Sequence, residues 1–167
     1  MGKGEGGKGK GPPSSPTDEA GMEAALDEAR RAAARDEVPV GAVITRSGAV
    51  LAKAHNETVA RRDPTAHAEL LAIQQALQVV ASDRLEDCTL YVTLEPCAQC
   101  AGAIVLAKLD RVVFGAYDDK AGMCGSVGDI VRNPRLNHRL EVVGGVGEEE
   151  CGRILKEFFE RRRAGST

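Results

Sequence analysis

The sequence predicts a three-layer α/β/α domain on a five-stranded mixed sheet. Three observations predict it. Short β-rich runs alternate with amphipathic helical patterns along most of the chain. One run, Thr89 to Leu94, is almost continuously apolar, as in a strand covered on both faces. Two further runs are separated only by Arg46-Ser47-Gly48, so they form an antiparallel hairpin.

Each element has its own signal. Residues 1–17 are Gly, Lys, Pro and Ser with almost nothing to bury, and are expected to be a disordered tail. Thr17 or Asp18 is suited to cap a first helix running to about Arg35, with Met22, Ala25, Leu26, Ala29, Ala32 and Ala33 at helical spacing. That narrow, alanine-rich stripe suits close packing on a sheet. Val38 to Thr45 and Ala49 to Ala54 are the hairpin strands. Thr58 to Pro64 is a polar loop. Thr65 to about Val80 is a helix with Leu70, Leu71, Ile73 and Leu77 on a broad apolar face.

After the third strand, Pro96 opens a helix to about Lys108, and Arg111 to Ala116 is the fourth strand. Tyr117 to Gly125 is a polar loop. A short helix over Val127 to Arg132 precedes a fifth strand at Leu140 to Val143. Enough chain separates the fourth and fifth strands for parallel pairing. The last helix, Glu148 to Arg163, carries acids at its positive end and Arg161 to Arg163 at its negative end. The chain is thus expected to form one domain over 18–163, with a flexible end at 164–167.

Composition excludes several classes of protein. A net charge of −3 speaks against a strongly basic wrapper of nucleic acid. The five cysteines are odd in number and no apolar secretory signal precedes them, so a disulfide framework is not expected and a reducing, cytoplasmic setting fits. No apolar run approaches the roughly 18 residues of a membrane span. Aromatic residues make up only 3% of the chain, so the core must be aliphatic.

The chemistry concentrates between Asp63 and Cys100, in DPTAHAE and TLEPCAQC. Cys97 and Cys100 are three apart in the first turn of the expected helix, where the helix dipole favours thiolates. Alone, that pair reads equally as a redox motif, half of a structural zinc site, or an accident. His67 adds a third ligand. Three protein ligands leave a coordination position for water, the mark of a catalytic zinc site. Such a site lowers the pKa of water from about 15.7 towards about 7. Glu69 is then placed to move a proton. Residues two apart inside a helix diverge by about 200°, so His67 and Glu69 share a site only at a helix tip.

HAE opening one helix and PCxxC opening another resemble the signature of the zinc-dependent nucleobase deaminases. The likeness is denser still to the bacterial tRNA-specific adenosine deaminases. It runs from about Val38 to Arg163, through VPVGAVI, DPTAHAE, TLYVTLEPCAQCAGAI, RVVFGAYDDKAG, Asn137-His138-Arg139 and FFERRR. The resemblance implies the cytidine deaminase-like fold and a homodimer. It implies one zinc ion on His67, Cys97 and Cys100, with no organic cofactor and no membrane. Glu69 would be the proton shuttle. The reaction implied is conversion of the wobble adenosine of a tRNA anticodon, chiefly arginine tRNA, to inosine.

The resemblance also marks Asn56, Asp118, Lys120, Phe159 and Arg162 as substrate contacts. Without it, Asn56 is a turn residue, Asp118 to Lys120 a solvated turn, and Arg161 to Arg163 complements of the helix dipole. Phe158 and Phe159 divide between core packing and RNA stacking. The chain departs from the family at Tyr117, where some members carry arginine, and Cys124 adds a thiol to the same loop. Two rival readings stay open: a deaminase of a free nucleobase such as guanine or cytosine, and a non-catalytic module with a four-coordinate structural zinc. The second would need Cys124, Cys151 or His138 as a fourth ligand.

Overall fold

Ser15 starts the first helix. Its side chain accepts a hydrogen bond from the Asp18 N–H at 3.1 Å, and Pro16, with its fixed φ, takes the first helical turn. The expected caps, Thr17 and Asp18, therefore lie inside α1 (Pro16–Ala34). The computed structural model describes residues 15–136, 138 and 140–165. Of the expected tail, residues 1–14 lie outside the described residues and 15–17 open α1. Asn137 and Arg139 also lie outside them, as do Ser166 and Thr167.

The remaining elements are β1 (Gly41–Arg46), β2 (Ala49–His55), α2 (Ala68–Val80), β3 (Cys88–Leu94), α3 (Ala98–Leu106), β4 (Arg111–Ala116), β5 (Glu141–Val143) and α4 (Glu148–Gly165). The five-stranded sheet has the order β2-β1-β3-β4-β5. β1 is antiparallel to both β2 and β3, and β3, β4 and β5 are parallel, so the sheet is mixed as expected. Ser47 and Gly48 make a two-residue turn with φ of 51° and 82°. Positive φ at both positions matches the twist of a tight hairpin, and Gly48 takes it without a steric penalty.

Strand alternation sends side chains to two helical layers. Val43, Tyr91, Val113 and Val143 form one row across the sheet and pack with Met22, Ala25 and Leu26 of α1 and Cys151 of α4. Ile44, Leu90, Val112 and Val142 form the opposite row, in one core with Leu71, Ala72 and Ala76 of α2 and Ala101 and Ile104 of α3. β3 is covered on both faces, which explains its near-continuous apolar sequence. Among the described residues no helix is long and apolar enough to cross a membrane.

Three expectations are corrected. The first strand begins at Gly41 rather than Val38, because Pro39 has no N–H and Val40 N–H donates back to the Val38 carbonyl at 2.8 Å. The helix expected over Val127 to Arg132 is a series of turns with one bridge between Cys124 and Asp129. Its N–H groups are taken elsewhere: Ile130 N–H bonds to Met123 O, and Arg132 N–H to the Asp129 carboxylate. The fifth strand starts at Glu141, since Leu140 N–H turns back to the Val131 carbonyl.

Candidate active site

The site is built from two helix starts. Asp63 holds the first by accepting from the Thr65 N–H at 2.9 Å and the Thr65 hydroxyl at 2.7 Å. His67 N–H then bonds to Thr65 O, and His67 stays extended (φ −81°, ψ 151°) as the N-cap of α2. The helix therefore begins at Ala68 rather than Thr65. His67 and Glu69 straddle its tip, so the divergence of a helix interior does not separate them.

The second start is similar. Cys97 is the extended N-cap of α3, and Pro96 precedes it rather than taking the first helical position. Cys100 lies one turn in and is fully buried. Gln99, between the two cysteines, donates from Nε2 to the Thr65 carbonyl at 3.1 Å and ties the two starts together.

The His67 Nδ1 lies 3.5 Å from the Cys97 Sγ and 3.6 Å from the Cys100 Sγ. All three ligand atoms fall within 4.8 Å of one another. Tetrahedral zinc with ordinary Zn–S and Zn–N bonds sets nitrogen and sulfur about 3.6 Å apart. The donor set and its spacing thus fit that metal. Among the described residues no fourth His, Cys, Asp or Glu joins this group. His138 is instead 2.6 Å from the Leu109 carbonyl, and Cys124 and Cys151 are buried free thiols.

Proton affinities follow from these contacts. The Cys100 thiol and the His67 ring, both hydrogen-bonded to Cys97, pull the Cys97 thiol down to about 3. The same bond to Cys97, with burial, pushes Cys100 up. His67 is raised, first by its bond to Cys97. Glu69, only 4% exposed, is pushed up to about 7 by burial. A dication on the neighbouring ligands opposes that rise. A carboxyl that gains and loses its proton near neutrality suits general acid–base work.

His67, Glu69 and Cys97 open onto one cavity of about 280 Å³, lined also by Asn56, Thr58, Glu95 and Asp118 with apolar Val38, Val40, Leu94 and Ala121, while Cys100 lies buried behind it. A larger depression at Gly145, Glu148 and Arg153 gathers no imidazole or thiol. Asn56 is buried, and its Oδ1 accepts from the Ala68 N–H at 3.0 Å. It therefore satisfies an open donor at the tip of α2, and its amide nitrogen is the end not committed to the helix. Asp118 accepts from the N–H groups of Lys120 and Ala121 at 3.0 and 3.1 Å.

Three of the expected contacts lie outside the cavity lining. Lys120 is exposed on the turn beside Asp118. Phe159 is 43% exposed on α4, whereas Phe158 is buried and stacks edge-on against it. The Arg162 guanidinium lies 5.2 Å from the Phe158 ring and 3.4 Å from the Asp36 carbonyl. Arg161 and Arg162 share a separate depression with Val59. Val59 adjoins Thr58 of the cavity rim, so the depression that holds the basic end of α4 borders that rim.

Sequence reasoning overlooked the buried carboxylates Glu37 and Glu95, which hold the segments on either side of the site, and Glu28, which pairs with His55. Glu37 accepts from the N–H groups of Val59 and Ala60 at 3.0 and 2.8 Å. Glu95 accepts from Asp118, Cys124 and Ser126. The available signal was a lone acid beside an apolar stretch, which buries only when partnered.

A mixed five-stranded sheet between two helical layers, with an imidazole, two thiols and a buried carboxyl at adjoining helix starts, defines a hydrolytic deaminase of the cytidine deaminase-like class. The comparisons with known proteins narrow the class. The model of the MafB19-like deaminase family matches residues 17–163. A tRNA-specific adenosine deaminase of Bacillus subtilis is 47% identical over 146 residues, covering 87% of this chain and 91% of that protein. A solved structure from a study of A-to-I editing by tRNA:A34 deaminases superposes with a TM-score of 0.76 at 42% identity, covering 81% of this chain and 99% of that one. A guanine deaminase from Nitrosomonas europaea superposes with a TM-score of 0.71 at 25% identity, covering 92% and 90%. The chain belongs to the family of the tRNA-specific adenosine deaminases.

Proposed function

We propose that this chain converts the wobble adenosine of a tRNA anticodon, chiefly that of arginine tRNA, to inosine by hydrolytic deamination. The observation that carries the chemistry is the His67, Cys97 and Cys100 set, which reaches one small cavity through His67 and Cys97 beside buried Glu69. Identity to the named adenosine deaminases carries the substrate.

His67, Cys97 and Cys100 would hold zinc. When bound, zinc supplies a Lewis acid that makes water acidic near neutral pH. Glu69 takes a proton from the attacking water and gives it to N1 of adenine as the water oxygen adds to C6. It then passes the second proton to the exocyclic amine, the C6–N bond breaks, and ammonia leaves with inosine as the product. The uncommitted amide of Asn56 orients the nucleotide from one wall, and Asp118 does so from the other. Val38, Val40 and Leu94 exclude water from the base. The cavity is smaller than the roughly 300–1,000 Å³ of drug-sized pockets and suits one splayed-out base. Lys120, Phe159 and Arg162 would meet the anticodon outside it.

Homodimer formation is supported by Val79 and Leu106, exposed by 61% and 79% on the α2–α3 layer. A cytoplasmic setting is supported by five free cysteines, two of which must stay reduced to bind metal. The deciding experiment incubates the zinc-loaded chain with an arginine-tRNA anticodon stem-loop and looks for inosine. Conversion at the wobble adenosine is expected, with none when another base replaces it. Turnover of free guanine, with an untouched stem-loop, overturns the reading.

A further inference from the structure

Glu95 is 2% exposed, lies at the end of β3, and is not needed for the proton transfers just described. Its Oε1 accepts from the Asp118 N–H at 3.0 Å and the Ser126 hydroxyl at 2.6 Å. Its Oε2 accepts from the N–H groups of Cys124 and Ser126, both at 3.0 Å. Four donors thus close around one carboxylate, and three of them are backbone groups of the loop following β4. Gly122 completes the enclosure, because a Cβ there would overlap the Glu95 carboxylate and the Asp118 carbonyl. The same loop presents Asp118 and Ala121 to the cavity.

We propose that Glu95 is a positioning residue that fixes the 118–126 loop as the substrate-binding wall of the cavity and acts on the reaction through Asp118. The inference rests on the reading of Asp118 as a substrate contact. The loop's own chain gives it turns and one bridge, so a buried anion with several charge-assisted bonds supplies what a regular element would otherwise give. The two oxygens also divide the labour. In Glu95→Gln the amide nitrogen avoids the Oε2 position, where it would meet two N–H donors. At Oε1 the Ser126 hydroxyl can turn to accept from it, and only the Asp118 N–H loses its partner. The substitution therefore releases the end of the loop that carries Asp118.

The zinc-loaded full chain tests this as wild type, E95Q, G122A, D118A and E95Q/D118A, with the arginine-tRNA stem-loop as substrate. E95Q is expected to raise KM about tenfold with kcat nearly unchanged, the pattern of lost ground-state binding. Bound zinc stays at the wild-type level, and amide exchange accelerates at residues 118–126. In the D118A background the further effect of E95Q on KM shrinks to less than about twofold. G122A pushes the loop off the Glu95 carboxylate while leaving that carboxylate chemically intact, so it replaces E95Q if that variant does not fold. An equal E95Q penalty with and without Asp118 overturns the proposal, as does a fall in kcat at constant KM or unchanged exchange. A wild type inactive on the stem-loop instead overturns the proposed substrate, and the exchange measurement still decides whether Glu95 anchors the loop.

Discussion

Glu69 lies two residues from His67 yet is no part of the ligand set, and this separation is testable. Glu69→Gln keeps the volume and removes the base. It is expected to retain metal while deamination falls by about 10²–10⁴-fold, the contribution of a positioned acid–base group. Metal analysis beside single-turnover rates checks both halves. Asn56 caps α2 and is proposed to face the substrate, two jobs that substitution can part. Asn56→Asp keeps an oxygen for the Ala68 N–H but removes the amide donor, so Tm should hold while KM rises. Asn56→Ala removes both, and should also cost about 1 kcal/mol of stability, measured by denaturant unfolding, as loss of a helix cap does. At this scale the sequence was most legible: metal ligands and a proton carrier are residue types with few alternative uses once they stand together. The cap role of Asn56 was not legible, because its partner lies 12 residues away and is a backbone N–H.

Elements are held in place by buried ion pairs. Asp18 of α1 takes two bonds from the Arg111 guanidinium of β4, at 2.9 and 3.0 Å, and one from the Tyr91 hydroxyl of β3 at 3.0 Å. Its bond to Arg111 leads in holding its carboxyl below the ordinary 3.8. A depressed folded-state value means the unfolded chain binds the proton more tightly. The stabilisation is therefore complete above about pH 4 and is lost as pH falls through the folded value. Urea unfolding between about pH 5 and 2 should show a steeper loss of stability in wild type than in Asp18→Asn. That variant should itself be less stable by about 1 kcal/mol near neutrality, since the partly exposed Arg111 keeps its bond to Glu141 at 2.9 Å. Glu37 does for the 57–60 segment what Glu95 does for the opposite rim. Glu37→Ala orphans the Val59 and Ala60 N–H groups, and faster amide exchange confined to that loop is the expected outcome. Helix and strand existence was largely legible from periodicity. The starts of β1, α2 and α3 were not, because Pro39, Asp63 and the two N-caps redirect backbone donors through local bonds that periodicity does not register.

At the scale of the whole molecule, the two motif halves belong to different elements joined only by tertiary structure. Zinc would bridge α2 and α3, so its binding energy is also folding energy. Chelation should abolish deamination and lower Tm, and added zinc should restore both. With free zinc at about 1,000 times its dissociation constant, the stabilisation is about 4 kcal/mol. Differential scanning fluorimetry with and without chelator reads this directly. Sedimentation of the zinc-loaded chain should give a dimer.

The sequence by itself determined the mixed sheet, the order of elements apart from the helix expected over Val127 to Arg132, and the grouping of His67, Cys97 and Cys100. These rest on short spacings, since a CxxC pair and an HAE triplet carry their geometry within one turn of chain. Only the tertiary structure decided how that chemistry is walled in. Glu95 reaches Asp118, Cys124 and Ser126 at separations of 23 to 31 residues, and Gln99 reaches Thr65 across 34. A side chain that caps a distant backbone N–H leaves no periodic trace in sequence, because any residue can offer that N–H. Which donor it meets is set by how β3, β4 and the two helix starts pack.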